Sequence, residues 1–114
     1  MQIRPMERKD YHEVYELWLR TPGMGLTDLD DSEEGIARFL ARNPKTCFVA
    51  RDGDRLLGVI LGGGDGRRGY LYHMAVEAAE QGKGIGTRLL EACLEGFRSE
   101  GIRKVALVVF GHNE

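Results

Sequence analysis

A chain of 114 residues, 42% hydrophobic and 30% charged, is long enough for one globular domain, 1–114, with a modest core, and too short for two. Its formal net charge of -2 supplies no basic footprint for nucleic acid, and no stretch approaches the roughly 18 apolar residues of a membrane span. Residues 1–10 are charged and carry no apolar leader region, which makes the cytoplasm the expected compartment, and the widely spaced Cys47 and Cys93 read as two buried reduced thiols, with no disulfide framework or metal pattern.

The chain opens with a short extended stretch, "QIRPM", around Ile3. Asp10 then reads as the cap of a helix whose apolar positions Tyr11, Val14, Tyr15, Trp18 and Leu19 recur at helical spacing, and Pro22-Gly23 ends it. Asp31 and Ser32 form a second cap signal, with Glu33 and Glu34 in the first turn and Ile36, Phe39 and Leu40 on one face, and Asn43-Pro44 closes that helix. The run "TCFVARDGDRLLGVIL" predicts an antiparallel hairpin turning at Asp52-Gly53-Asp54. A glycine run, Gly62 to Gly64, and the turn-like "DGRRG" separate it from a third strand of the same sheet, "YLYHMAV". A glycine loop follows, then a long helix to about Glu100 stopped by Gly101, then the buried-type strand "VALVVF". Taken together these predict a mixed, mostly antiparallel sheet flanked by helices, an α/β fold of the α+β type.

The loop carries the strongest chemical signal. "EQGKGIGTRLL" places Gly82, Gly84 and Gly86 at every second position between a strand and a helix start. Such a turn gathers unpaired backbone N–H groups and the positive end of a helix dipole around one point, which suits an anion such as a phosphate. Tight helix-to-sheet packing is the plainer use of the same glycines. The spacing lacks the third glycine of a dinucleotide fingerprint and the Gly-Lys-Ser/Thr ending of a triphosphate loop, so neither of those sites is supported.

Gln81-Gly82-Lys83-Gly84-Ile85-Gly86 closely resembles the pyrophosphate-binding signature Q/R-x-x-G-x-G/A of the GNAT superfamily of acyl-CoA-dependent N-acyltransferases. "HMAV" is similar to the end of that family's fourth strand, "GTRLLEACLEGF" to its third helix and "GIRKVALVVF" to its fifth strand, and the resemblance covers essentially the whole chain. It implies acetyl-CoA as cofactor and acetyl transfer to a primary amine of a small molecule or protein. It further implies that the strands containing Tyr70 to Val76 and Val105 to Phe110 splay apart, so that main-chain groups of Met74, Ala75 and Val76 bond the pantetheine arm. The pyrophosphate would rest on N–H groups of Gln81, Gly82, Lys83, Gly84, Ile85, Gly86 and Thr87, with Lys83 or Arg88 adding charge, and the backbone N–H near Met74 would polarise the thioester.

The proton acceptor stays open. Strand alternation puts Tyr70, Tyr72 and Met74 on one face and Leu71, His73 and Ala75 on the other. Relatives that use side chains of this strand carry them at positions matching Tyr70 and Tyr72, which makes these the candidate catalytic residues, orienting a water rather than ionising. His73 has the better intrinsic pKa but reads first as a structural residue, Glu77 as a solvated loop charge, and Trp18 and Tyr15 as core.

Family members continue past the fifth strand with a helix near an Asn, matched here by Asn113, which bears a tyrosine acid for the CoA thiolate, and with two more strands. The chain reads as C-terminally shortened relative to that pattern. Two functions therefore remain: the N-acetyltransferase, with its acceptor entering beside Thr21 to Asp31 and a cation drawn by Asp28, Asp30 and Asp31, and a non-catalytic CoA or acyl-CoA-binding module. The apolar strand Val105 to Phe110 is expected to pair with a second copy in a homo-oligomer.

Overall fold

The apolar run that follows the Asp52–Asp54 turn becomes the middle of the molecule. The computed structural model describes residues 1–26 and 30–107 and arranges them as β1 (Gln2–Pro5), α1 (Tyr11–Leu19), α2 (Glu33–Arg42), β2 (Cys47–Asp52), β3 (Arg55–Gly64), β4 (Arg68–Val76), α3 (Ile85–Ser99) and β5 (Lys104–Leu107). The five strands form one sheet in the order β1-β2-β3-β4-β5. The first four are antiparallel, β2-β3 and β3-β4 through short hairpin turns and β1-β2 through the connection that carries α1 and α2, while α3 crosses over to leave β5 parallel to β4. This is the expected mixed sheet with flanking helices. Among the described residues no helix is long and apolar enough to cross a membrane.

The sheet divides two apolar clusters. On one face α1 and α2 bring Val14, Leu17, Trp18 and Ile36 onto Val49, Val59 and Leu61; on the other, α3 lays Leu89, Cys93 and Phe97 over Ala50, Leu57 and Ile60. Each such fully buried large side chain contributes about 1.5–3 kcal/mol. The thiols lie one in each cluster, and burial pushes both Cys47 and Cys93 up to about 12. In α1 the inward position is Leu17 rather than Leu19, which is 63% exposed.

Three further expectations change on folding. Asp10 does not cap α1 with its side chain; it is buried and accepts from Arg4 Nη2 at 2.7 Å, Arg51 Nη2 at 2.9 Å and the Glu7 amide at 2.8 Å, closing a 3₁₀ turn at Arg8–Asp10. Burial pushes its carboxyl up, but those hydrogen bonds together outweigh burial and hold it below the usual range. Gly62, Gly63 and Gly64 are not a loop but the end of β3, where side chains would collide. A Cβ at Gly62 would stand 2.6 Å from Cys93 Sγ, and one at Gly63 2.8 Å from the Phe39 ring. In β5 the described residues are largely on the surface, Leu107 being 66% exposed, whereas the sequence reads as a buried strand. Residues 108–110 of that expected edge, Asn113 and Asp28 lie outside the described residues.

Candidate functional site

β4 carries an irregularity that strand alternation does not foresee. His73 stands opposite Leu61 and Leu71 opposite Gly62, so Tyr72 is an extra residue without a partner on β3, a β-bulge. The bulge turns Tyr72 and His73 to the same side. The Tyr72 ring meets Phe39 of α2 edge-on at 5.3 Å, and the His73 ring meets Trp18 of α1 at 4.8 Å. Met74 and Val76 then fall on the α3 side, where their side chains are the nearest neighbours of a Cβ built at Gly86, 3.9 and 3.7 Å away. Tyr72 therefore shares its face with His73 and not with Met74, correcting the simple alternation. Tyr70 remains beside Tyr72, ring centres 6.4 Å apart.

His73 is the centre of a buried polar contact. Its Nε2 lies 2.8 Å from Asp31 Oδ1, across 42 residues of sequence, and both side chains are under 10% exposed. His73 Nδ1 and the neighbouring Trp18 Nε1 have no hydrogen-bond partner among the described residues. Tyr72 and His73 form one wall of a cleft of about 560 Å³ whose other wall is α2, with Arg38, Phe39 and Arg42, and which Asp30 and Asp31 also line. That volume suits a small molecule or the end of a peptide.

On the α3 side, the edge of β4 is set by peptide alternation. The Glu77 N–H donates to Leu57 O at 2.9 Å on β3, so the carbonyl of the same peptide unit, Val76 C=O, points outward. Stepping back two residues puts the N–H and C=O of Met74 on the outer edge as well, with the N–H of Val76, while the main chain of Ala75 turns toward β3 and its methyl is buried. The described pairing with β5 covers Arg68 to Leu71 and Lys104 to Leu107, short of this edge. Gln81 Nε2 donates to the outward Val76 carbonyl at 3.2 Å.

Next to that edge the chain makes a 3₁₀ turn at Ala78–Glu80 and enters α3 through Gly82 (φ 85°) and Gly84 (φ 84°), left-handed conformations that glycine adopts without strain. Gly84 is the N-cap residue and offers no side chain, so no side-chain cap covers the first-turn N–H groups of Ile85, Gly86 and Thr87. A Cβ at Gly82 or Gly84 would meet nothing within 4 Å, which leaves open space over the turn. Lys83 Nζ bends back to Glu80 Oε1 at 3.3 Å, and this contact, with Arg55 beside it, holds the Glu80 carboxyl below its usual range. Glu77, read from sequence as solvated, pairs with Arg20 at 2.7 Å and ties the end of α1 to the end of β4.

The fold thus brings Met74, Val76 and residues 81–87 to one end of β4 and α3, and Tyr70, Tyr72 and His73 to the opposite face of the same strand. Sequence reasoning missed the Asp31–His73 pair and the two arginines of the cleft, which depend on chain segments meeting at a distance, and the Gln81 contact, which spans five residues and depends on how the 3₁₀ turn folds back on β4.

A model of the acetyltransferase (GNAT) family matches residues 11–114. The chain is 33% identical to an acetyltransferase of Sodalis glossinidius over 114 residues, which is 100% of this chain and 79% of that protein. Its fold is similar to that of Ard1 from Thermoplasma volcanium (TM-score 0.80, 21% identity, 93% of this chain and 69% of that one). It is also similar to Rv2747 from Mycobacterium tuberculosis, crystallised in complex with CoA and NLQ (TM-score 0.76, 20% identity, 96% and 65%).

Proposed function

Because the chain belongs to the acetyltransferase (GNAT) family, we propose that it transfers an acetyl group from acetyl-CoA to a primary amine. One observation carries the reading: the outward main chain of Met74 and Val76 lies beside an uncapped, left-handed glycine entry into α3. The two features match the two halves of a CoA tail, an amide-bearing arm and a pyrophosphate. Met74 and Val76 bond the arm as an added strand, with Ala75 between them as wall, and the side chain of Gln81 yields the Val76 carbonyl to it. Amide groups from Gln81, Gly82, Lys83, Gly84, Ile85, Gly86 and Thr87 receive the pyrophosphate, which the positive end of α3 favours. Similarity to a protein crystallised with CoA supports this ligand.

Acetyl-CoA supplies an activated acyl group on a good leaving sulfur. The residues of this chain orient and polarise it. The outward Met74 N–H donates to the thioester oxygen as negative charge develops there. The neutral amine, held against β4, forms the new C–N bond as the C–S bond breaks and sulfur leaves with its electron pair. The ammonium proton departs through water held by the Tyr70 and Tyr72 hydroxyls, and water returns a proton to the thiolate. His73, fixed by Asp31 next to Tyr72, shapes that side of the cleft.

The test is thiol release from acetyl-CoA with a panel of amines, alongside calorimetric titration with CoA. Binding with amine-dependent thiol release is expected. Binding without turnover for any amine favours a CoA-binding module, and absence of binding removes the proposal.

A further inference from the structure

The cleft on the α2 side of β4 has a charge pattern that the reading above does not use. Arg38 and Arg42 stand four residues apart on α2 and both line the cleft. Both are exposed, and neither makes an ion pair or side-chain hydrogen bond among the described residues, a state they share with Arg67, Arg68, Arg88 and Arg103, while Arg4, Arg8, Arg20, Arg51, Arg55 and Arg98 each meet a carboxylate. At this spacing the two guanidinium groups sit on one helix face and can reach one ligand together. Asp30, exposed, and Asp31, buried with its carboxylate on His73, line the same space. The lining of this space of about 560 Å³ therefore carries groups of both signs.

We propose that the acetyl acceptor is an amine that also carries a carboxylate, its carboxylate bound by Arg38 and Arg42 and its amino end directed toward Tyr72 and the β4 edge. The proposal rests on the acetyltransferase reading and names the acceptor class for it. Planar guanidinium forks match a carboxylate in two-point geometry. The acidic wall draws the amino end before it loses its proton, so a molecule with one charge of each sign balances both walls. A phosphate dianion fits this pattern less well, since it would leave excess negative charge beside Asp30 and Asp31.

The experiment compares amino acids with the amines left when their carboxylate is removed: lysine with 1,5-diaminopentane, and phenylalanine with phenethylamine. O-phosphoethanolamine and a short peptide with an acidic second residue are two further arms. The member of each pair bearing the carboxylate should show kcat/KM about tenfold higher or more, the worth of a charge-assisted contact. Arg38→Ala and Arg42→Ala should each lower that ratio, mainly through KM, while Arg98→Ala, whose guanidinium pairs with Glu95 on α3, keeps it. CoA affinity in the two cleft variants should match the parent protein, separating this site from the CoA site.

Equal or better turnover of the decarboxylated amines, or a preference that survives in both cleft variants, overturns the proposal. Turnover of O-phosphoethanolamine above the amino acids replaces carboxylate by phosphate and overturns it too. A preference for the peptide over free amino acids keeps the carboxylate site and identifies its source. If no amine turns over, the acetyltransferase reading fails on its own, and calorimetry with N-acetyl-lysine against N-acetyl-1,5-diaminopentane still decides the arginine site. Tighter binding of the carboxylate form that is lost in Arg38→Ala supports it, and equal binding overturns it.

Discussion

Gly84 and Gly101 form a matched pair of positions at the two ends of α3. Their φ angles are 84° and 79°, and a Cβ at either would meet no atom within 4 Å. Replacing either by alanine therefore costs backbone strain and no clash, about 1–2 kcal/mol in each case. For a domain of this size that corresponds to a fall in Tm of roughly 4–8 °C, and denaturant unfolding should find the two variants alike. The helix between them has 15 residues, so the sites lie roughly 22 Å apart. Only Gly84 is beside the N–H groups assigned to the pyrophosphate. A methyl group there holds phosphate off the turn, and each charge-assisted hydrogen bond lost costs about 1.5–3 kcal/mol, so CoA affinity should fall by about tenfold or more in Gly84→Ala. Gly101→Ala should keep the affinity of the parent protein. Calorimetric titration of both with CoA is the assay. Full affinity in Gly84→Ala, or an equal loss in Gly101→Ala, would refute the phosphate-loop assignment, because strain alone is then the whole effect.

Other outcomes follow from the same geometry. Asp10 has its folded pKa below the usual 3.8, so its contribution is fully present above that value and is lost as pH falls through the folded pKa. Asp10→Asn should destabilise the protein near neutrality by about 3–5 kcal/mol and flatten the acid limb below pH 3.8, measured by urea unfolding across pH; an unchanged limb rejects the assignment. Gly96→Ala drives a methyl group into the Lys45 carbonyl and should cost about 3 kcal/mol, a larger fall in Tm than Gly101→Ala; an equal fall would mean α3 packs differently on the sheet. With Cys47 and Cys93 pushed up to about 12, roughly one thiol in ten thousand is ionised at pH 8, so an aromatic disulfide reagent should label neither in the native protein and both after unfolding. Rapid native labelling of either would contradict its burial.

The sequence by itself determined the order and type of the elements and the position of the glycine loop. Helix periodicity, the Ser32 cap, the Asp52–Asp54 turn and the alternating glycines at 82, 84 and 86 are short-range signals, each read within a few residues, and each has its counterpart in the structure. The tertiary structure decided which way β4 faces. The extra residue at Tyr72 arises from how β4 registers on the glycine end of β3 beneath Phe39 and Phe97, and no local pattern in "YLYHMAV" announces it. The same holds for Asp10 with Arg4 and Arg51, for His73 with Asp31, and for the two arginines that α2 turns into the cleft. Those contacts join segments up to 42 residues apart, and charge pairing over such distances follows only once the apolar faces have set the helices on the sheet.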